Sequence, residues 1–283
     1  MLTLKSYAKV NLYLKVLNLR KDGFHNIRTI FERISLYDTI TFKRLKPKTI
    51  KITCTHPAVP KDAANLCWRA AKLLQDYSGT DKGVEIKITK RIPVAAGLGG
   101  GSSNAATTLL GLNKLWKLGL SRKKLLRLAA KIGADVPFFL YNTPFALGEG
   151  IGDRIKPLPR HRVRRFWHLL AVPDISVSTP LVYKGWDKLK KNKKAGLTKP
   201  APDVKMLLSI PLFNSLEAVT LNLYPVVARV KDKLKRLGLN SVLMSGSGPA
   251  VFGVLSSRKE AVSLSRKMAK ELRCRGIFVV KTT

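Results

Sequence analysis

Hydrophobic and polar positions along the chain change period several times. Val84-Glu85-Ile86-Lys87-Ile88 alternates apolar and polar, the pattern of a half-buried strand. Before it, Asp62 opens a helical stretch to about Tyr77, with Leu66, Ala70, Leu73, Leu74 and Tyr77 at helical spacing and Gly79 as its stop. A helix is predicted from Asn104 to about Trp116, with Ala105, Ala106, Leu109, Leu110 and Leu112 facing a core. Ser121 reads as the cap of a short helix ending at Gly133, with Leu125, Leu128, Ala129 and Ile132 inside. The second half predicts one long helix around Leu216–Leu237, closed by Gly238, then a Gly-rich turn at Ser245–Gly248 and an apolar strand at Ala250–Leu255. A helix from about Lys259 to Leu272 and a strand at Gly276–Val280 complete the chain. Strands and helices mix in an α+β pattern, and no repeat with a period of about 20–50 residues is present.

Composition shifts at Pro157–Arg165, a basic, proline-containing stretch, which predicts a boundary between domains 1–157 and 158–283. The Lys-rich stretch Lys188–Pro202 reads as a mobile loop. With 45% hydrophobic and 25% charged residues the composition is that of a soluble globular protein. No apolar run approaches the roughly 20 residues of a membrane span, and Met1–Val10 lacks the pattern of a secretion signal. Cys54, Cys67 and Cys274 form no C-x-x-C, so zinc and a disulfide framework are poor readings and a reducing cytoplasm is the natural setting.

Charge changes the picture more. Lys and Arg number 53 against 17 Asp and Glu, a formal net charge of +36. Such a surplus favours anionic partners, whether phosphorylated substrates, nucleic acid or acidic lipid. The basic residues are dispersed, with clusters only at Arg160–Arg165 and Lys188–Lys194, and no nucleic-acid module is present. A solvated basic surface is therefore preferred to a dedicated nucleic-acid partner.

The chemistry concentrates in Pro93-Val94-Ala95-Ala96-Gly97-Leu98-Gly99-Gly100-Gly101-Ser102-Ser103-Asn104-Ala105-Ala106. Four glycines within five residues allow positive φ angles and close approach of a ligand. Two hydroxyls and a small-residue helix follow, and a helix N-terminus after glycines is an anion site. No Gly-Lys-Ser/Thr follows and no G-x-G-x-x-G fits, so neither the Walker nor the dinucleotide pattern applies. The competing reading is a tight structural turn between strand and helix.

Pro93–Ala106 resembles the second motif of the GHMP kinases, and Met244-Ser245-Gly246-Ser247-Gly248-Pro249-Ala250-Val251-Phe252 resembles the third. Three more blocks narrow the likeness to one branch: Ser6-Tyr7-Ala8-Lys9-Val10-Asn11-Leu12-Tyr13-Leu14, Asp22-Gly23-Phe24-His25, and Gly133-Ala134-Asp135-Val136-Pro137-Phe138-Phe139. Together they run from Leu4 to about Leu255. The resemblance implies a two-domain GHMP kinase fold, with an N-terminal domain like the second domain of ribosomal protein S5 and a ferredoxin-like C-terminal domain. It implies ATP with Mg2+ as phosphoryl donor. The acceptor it implies is a small-molecule cytidine diphosphate derivative, phosphorylated at a methylerythritol 2-hydroxyl on a non-mevalonate route to isoprenoid precursors. A homoserine or mevalonate kinase of the same family, or an RNA-binding protein of related fold, is the alternative. A monomer or weak homodimer is expected, with no membrane partner.

The roles that follow are those the resemblance implies. Asp135 is the catalytic base and Lys9 its partner. Asn65, Lys90, Pro93, Gly97, Leu98, Gly99, Gly100, Gly101, Ser102, Ser103 and Asn104 surround ATP. Asn11, Phe24, His25, Thr179, Tyr183, Gly246 and Ser247 surround the acceptor, with no protein metal ligands assigned. Independently of the family, Lys9 is a charge in an apolar strand that needs a partner, and Lys90 is placed to face phosphate. Asp135 could equally be a helix-exit turn residue, His25 an ordinary surface residue, and Thr179 and Tyr183 packing residues of a strand. Phe24 stands where the branch often has Tyr, and keeps a ring for stacking. Ser215 in Phe213-Asn214-Ser215-Leu216-Glu217 replaces a common Asp and is expected to cap the following helix.

Overall fold

A computed structural model describes residues 1–159, 165–192, 212–271 and 273–283. Two long strands, β1 (Leu2–Leu19) and β2 (His25–Leu45), begin it as an antiparallel pair whose register runs from Leu2 opposite Phe42 to Leu19 opposite His25. They anchor a seven-stranded sheet with β3 (Ile50–Cys54), β4 (Gly83–Thr89), β5 (Phe145–Glu149), β6 (Arg154–Pro157) and β8 (Phe213–Asn214). Register shifts in β1 at Tyr7/Ala8 and Asn11/Tyr13 flank the two polar residues of that strand that matter below. Irregularities of this kind re-aim side chains.

Helices α1 (Leu66–Ser78), α2 (Gly100–Leu115), α3 (Arg122–Ile132) and the short α4 (Val136–Phe139) cover one face of this sheet. Ile40, Phe42, Ile86 and Ile88 of the strands pack there on Ala70, Leu74, Leu109 and Leu112 of the helices. The Ser121 cap and the left-handed Gly79 that ends α1 are as expected. Two starts are not. Asn65, not Asp62, caps α1, its side chain accepting from the Cys67 N–H. Helix α2 begins at Gly100 instead of Asn104, so the glycines and serines of the motif form its first turn. Leu110, expected inside, is exposed.

The second sheet orders β11 (Cys274–Lys281), β7 (Trp167–Pro173), β10 (Val251–Leu255) and β9 (Val242–Met244), all antiparallel. In order of appearance that is 4-1-3-2, the ferredoxin-like arrangement. Alternation along β7 divides its neighbours. Leu169 and Ala171 pack on α5 (Thr179–Asn192), α6 (Glu217–Leu223), α7 (Pro225–Arg236) and α8 (Arg258–Glu271), whereas Leu170 and Val172 pack on Ala8, Val10, Leu12 and Ile34 of the first sheet. The two-domain α+β fold thus buries a strand face between its sheets.

Several second-half expectations are corrected. The long helix around Leu216–Leu237 is two, α6 and α7, because Pro225 cannot continue α6 and instead opens α7 at its first position. Ser215 does not cap α6; its hydroxyl accepts from the Val16 N–H of β1 at 3.1 Å, and Asn214 Oδ1 takes the Leu216 N–H. Thr179 and Tyr183 lie on helix α5, not on a strand. Of the Lys-rich loop, residues 188–192 finish α5, and 193–202 lie outside the described residues, as do 160–164 of the other basic cluster and Leu272.

Candidate active site

Loops from both halves converge on the glycine-rich segment. The Lys9 N–H of β1 donates to Leu98 O at 3.0 Å, the Ala250 N–H to Ala96 O at 3.2 Å, and Ser245 Oγ to Gly97 O at 2.9 Å. Gly97 and Gly99 have φ of +74° and +67°. A Cβ on Gly97 would sit 2.2 Å from Ser245 O, so only glycine lets the two loops meet. Gly99 gives α2 no side-chain cap, which leaves the first amides of a 16-residue helix facing outward. They open on a cleft of about 330 Å³. Asn65, Lys90, Pro93, Leu98, Gly100, Gly101, Ser102 and Asn104 line it together with Gly97 and Gly99.

Two of the expected ATP residues are differently engaged. The Lys90 ammonium does not point into open space; it is buried and paired with the fully buried Asp38. Asp38 also accepts from the Arg91 and Ile92 N–H groups at 2.7 and 2.8 Å and from Asn104 Nδ2 at 2.9 Å. Ser103 is buried and accepts from Ser6 Oγ at 2.8 Å, so its hydroxyl turns away from the cleft while that of Ser102 lines it. Sequence reasoning missed Asp38. Its only signal was a carboxylate inside a long apolar strand pattern.

A second cleft, of about 600 Å³, shares Gly97 and Gly99 with the first. Lys9 and Asn11 are two apart on β1 and so point the same way. The Lys9 ammonium donates to Asn11 Oδ1 at 2.6 Å and lies 3.3 Å from Asp135 Oδ2. It also sits 5.4 Å from the Phe31 ring centroid, over its face. Asn11 Nδ2 donates to Thr29 Oγ1 at 2.7 Å, and Thr29 in turn to Tyr13 O, which fixes the amide's orientation. Asp135 precedes α4, whose proline at its second position turns the chain sharply away. A buried cation beside a carboxylate, next to the shared glycines, can hold and deprotonate an alcohol facing phosphate.

The far end of this cleft is aromatic. His25 is buried; its Nε2 lies 2.8 Å from Asp187 Oδ1. Its ring stacks on Tyr183 at 5.1 Å and meets Trp186 edge-on at 5.7 Å. Burial, and then the negative charge of Asp135, push the Tyr183 phenol well above its ordinary value. Thr179 and Ser247 hydroxyls are hydrogen-bonded at 2.8 Å beside Gly246, and Phe24 stands exposed at the rim. The cleft therefore gathers Lys9, Asn11, Phe24, His25, Asp135, Thr179, Tyr183, Gly246 and Ser247. Trp186 and Asp187 went unnoticed in sequence because they fall between the strand expected around Thr179 and Tyr183 and the loop expected from Lys188, and only helix α5 brings them to His25.

Among the described residues no group of three metal-ligating side chains occurs, and no helix is long and apolar enough to cross a membrane.

The chain is similar to known proteins in sequence and in fold. The GHMP kinase N-terminal domain model matches residues 65–143 and the GHMP kinase C-terminal model residues 204–274. A Geobacter metallireducens protein named 4-diphosphocytidyl-2-C-methyl-D-erythritol kinase is 44% identical over 260 residues, 92% of this chain and 91% of its own. One of the same name from Syntrophus aciditrophicus is 42% identical, covering 95% of each chain. A crystal structure of 4-(cytidine 5'-diphospho)-2C-methyl-D-erythritol kinase superposes with a TM-score of 0.80 at 34% identity, covering both chains completely. A mevalonate kinase of Methanococcus jannaschii shares the fold, with a TM-score of 0.71 at 15% identity.

Proposed function

The chain belongs to the GHMP kinases, and from that premise we propose that it transfers the terminal phosphoryl group of ATP to the 2-hydroxyl of 4-diphosphocytidyl-2-C-methyl-D-erythritol. The observation that carries this reading is the contact of two clefts at Gly97 and Gly99, with the Lys9–Asp135 pair on the acceptor side. Relatives of that name above 40% identity over nine-tenths of the chain support the choice of acceptor over homoserine or mevalonate.

In this reading the amides of Gly100, Gly101 and Ser102 hold the triphosphate, and the Asn65 and Lys90 end of the cleft takes the nucleoside. Asp135 accepts the acceptor hydroxyl's proton, while Lys9 holds the oxygen and offsets negative charge as it develops. The acceptor's diphosphate extends past Gly246, Ser247 and Thr179 toward an aromatic end formed by Phe24, His25 and Tyr183. Phosphoryl transfer of this kind uses Mg2+, which neutralises phosphate charge and is ordinarily bound through substrate phosphates with few protein ligands. The residues fit such an ion: Ser102 offers a hydroxyl oxygen beside the loop, and both carboxylates nearby, Asp38 and Asp135, already have cationic partners. A monomer or weak homodimer remains the expected state, and three free cysteines suit a reducing cytoplasm.

The test is ADP release from the purified chain with ATP and each alcohol in turn. Turnover of the cytidine compound at least as fast as any other is expected; preference for homoserine or mevalonate would overturn the assignment.

A further inference from the structure

The His25–Asp187 contact has chemical content beyond packing. Asp187 lies on α5 and faces the cleft, with a side chain 35% exposed, whereas the His25 side chain is 5% exposed. A carboxylate can only accept, so the proton between them sits on His25 Nε2. In the neutral imidazole the other nitrogen, Nδ1, is then an acceptor. Among the described residues Nδ1 has no hydrogen-bond partner, while Nε2 is engaged by Asp187. Stacking on Tyr183 and the edge contact with Trp186 hold the plane of the ring, and the Asp187 contact selects its orientation within that plane.

We propose that Asp187 is a positioning residue that sets base specificity: by holding the proton on Nε2 it keeps His25 Nδ1 as an acceptor for an exocyclic amino group, and so selects an amino-bearing pyrimidine over one with a carbonyl there. This rests on the substrate reading above and deepens it. A carbonyl at that position would face an acceptor with an acceptor, and such a mismatch is costly. Asp187 touches no reacting atom, so its effect falls on binding of the base and not on phosphoryl transfer.

The experiment compares Asp187→Asn with the wild-type chain on 4-diphosphocytidyl-2-C-methyl-D-erythritol and on its uridine counterpart, after thermal melting has verified folding. An asparagine can accept from Nε2–H through Oδ1 or donate to Nε2 through its amide N–H, so it no longer holds the ring proton on Nε2. The wild type is expected to favour the cytidine compound. In the variant the ratio of the two kcat/KM values should fall by roughly 10-fold or more, through a higher KM for the cytidine compound and with kcat nearly unchanged. Asp187→Ala, which likewise leaves either tautomer free, should lower the ratio in the same direction. An unchanged ratio in both variants, with the wild type active on the cytidine compound, overturns the role of Asp187 and leaves the function standing. A wild-type chain that phosphorylates neither compound overturns the function and this inference together.

Discussion

The Lys9 ammonium lies 3.3 Å from Asp135 Oδ2, and the two residues come from opposite sides of the phosphate loop, one on β1 and one just before α4. The Lys9 side chain is only 5% exposed and its other partner is the neutral amide of Asn11, so Asp135 is its charge partner. Asp135→Asn keeps the shape and removes the base. Its kcat is expected to fall about 100- to 10,000-fold, with ATP affinity in a calorimetric titration within a few-fold of wild type. A variant retaining most of its kcat would remove Asp135 from the chemistry.

Gly99 joins the two clefts. Its φ of +67° disfavours any L side chain, and a Cβ there would approach the Lys9 and Phe139 side chains to 3.0 Å. Gly99→Val is expected to weaken ATP binding roughly 10-fold or more through backbone strain at the head of α2. Because the new side chain also presses on Lys9, kcat should drop along with affinity. Unchanged ATP affinity measured directly would mean that the loop does not cradle the nucleotide.

The sequence carried much of this site because its chemistry is written in local patterns. Glycines before a helix and a lysine in an apolar strand are visible without a partner, whereas Asn11 and Asp135 stand out only through the resemblance to the GHMP kinases. What stayed hidden depends on residues far apart in the chain. Asp38 is meaningful only once Lys90 and Asn104 arrive beside it, and Asp187 only once β2 brings His25 to α5. Ser103 stands beside Ser102 in the motif as an expected ATP residue; starting α2 at Gly100 turns its hydroxyl onto Ser6. Likewise the break at Pro225 was overlooked because apolar spacing continues through it from Val219 to Val227.

The phenol of Tyr183 offers a pH-dependent signature. Burial and the Asp135 charge both raise it above 10.0 in the folded chain. Below that pH both folded and unfolded forms hold the proton, so the residue contributes no pH dependence. Above it the unfolded chain loses the proton first, and stability falls as pH rises until the folded phenol ionises as well. Tyr183→Phe is therefore expected to lose less stability than wild type on going from neutral pH to pH values above 10.0. Urea melts of both proteins across that range, with phenolate absorbance followed in parallel, check the sign. A Tyr183 that ionises with the exposed tyrosines would refute it.

Asp38 and Lys90 form a buried ion pair that also carries the start of α2, since the same carboxylate receives Asn104 Nδ2 and the Arg91 and Ile92 amides. Removing one charge leaves the other buried without its partner, at a cost of about 3–5 kcal/mol. Asp38→Asn and Lys90→Met should each destabilise the chain on that scale in urea melts. Combining them removes both charges and should recover much of the loss, because replacing a whole buried pair is often close to neutral. If the pair also orders the cleft, the double variant should remain weakened in KM for ATP while KM for the acceptor stays near wild type, since Asp38 and Lys90 do not line the acceptor cleft. Additive destabilisation in the double variant would mean that the two residues act independently, and equal changes in both KM values would mean that the damage is general instead of local to the phosphate loop.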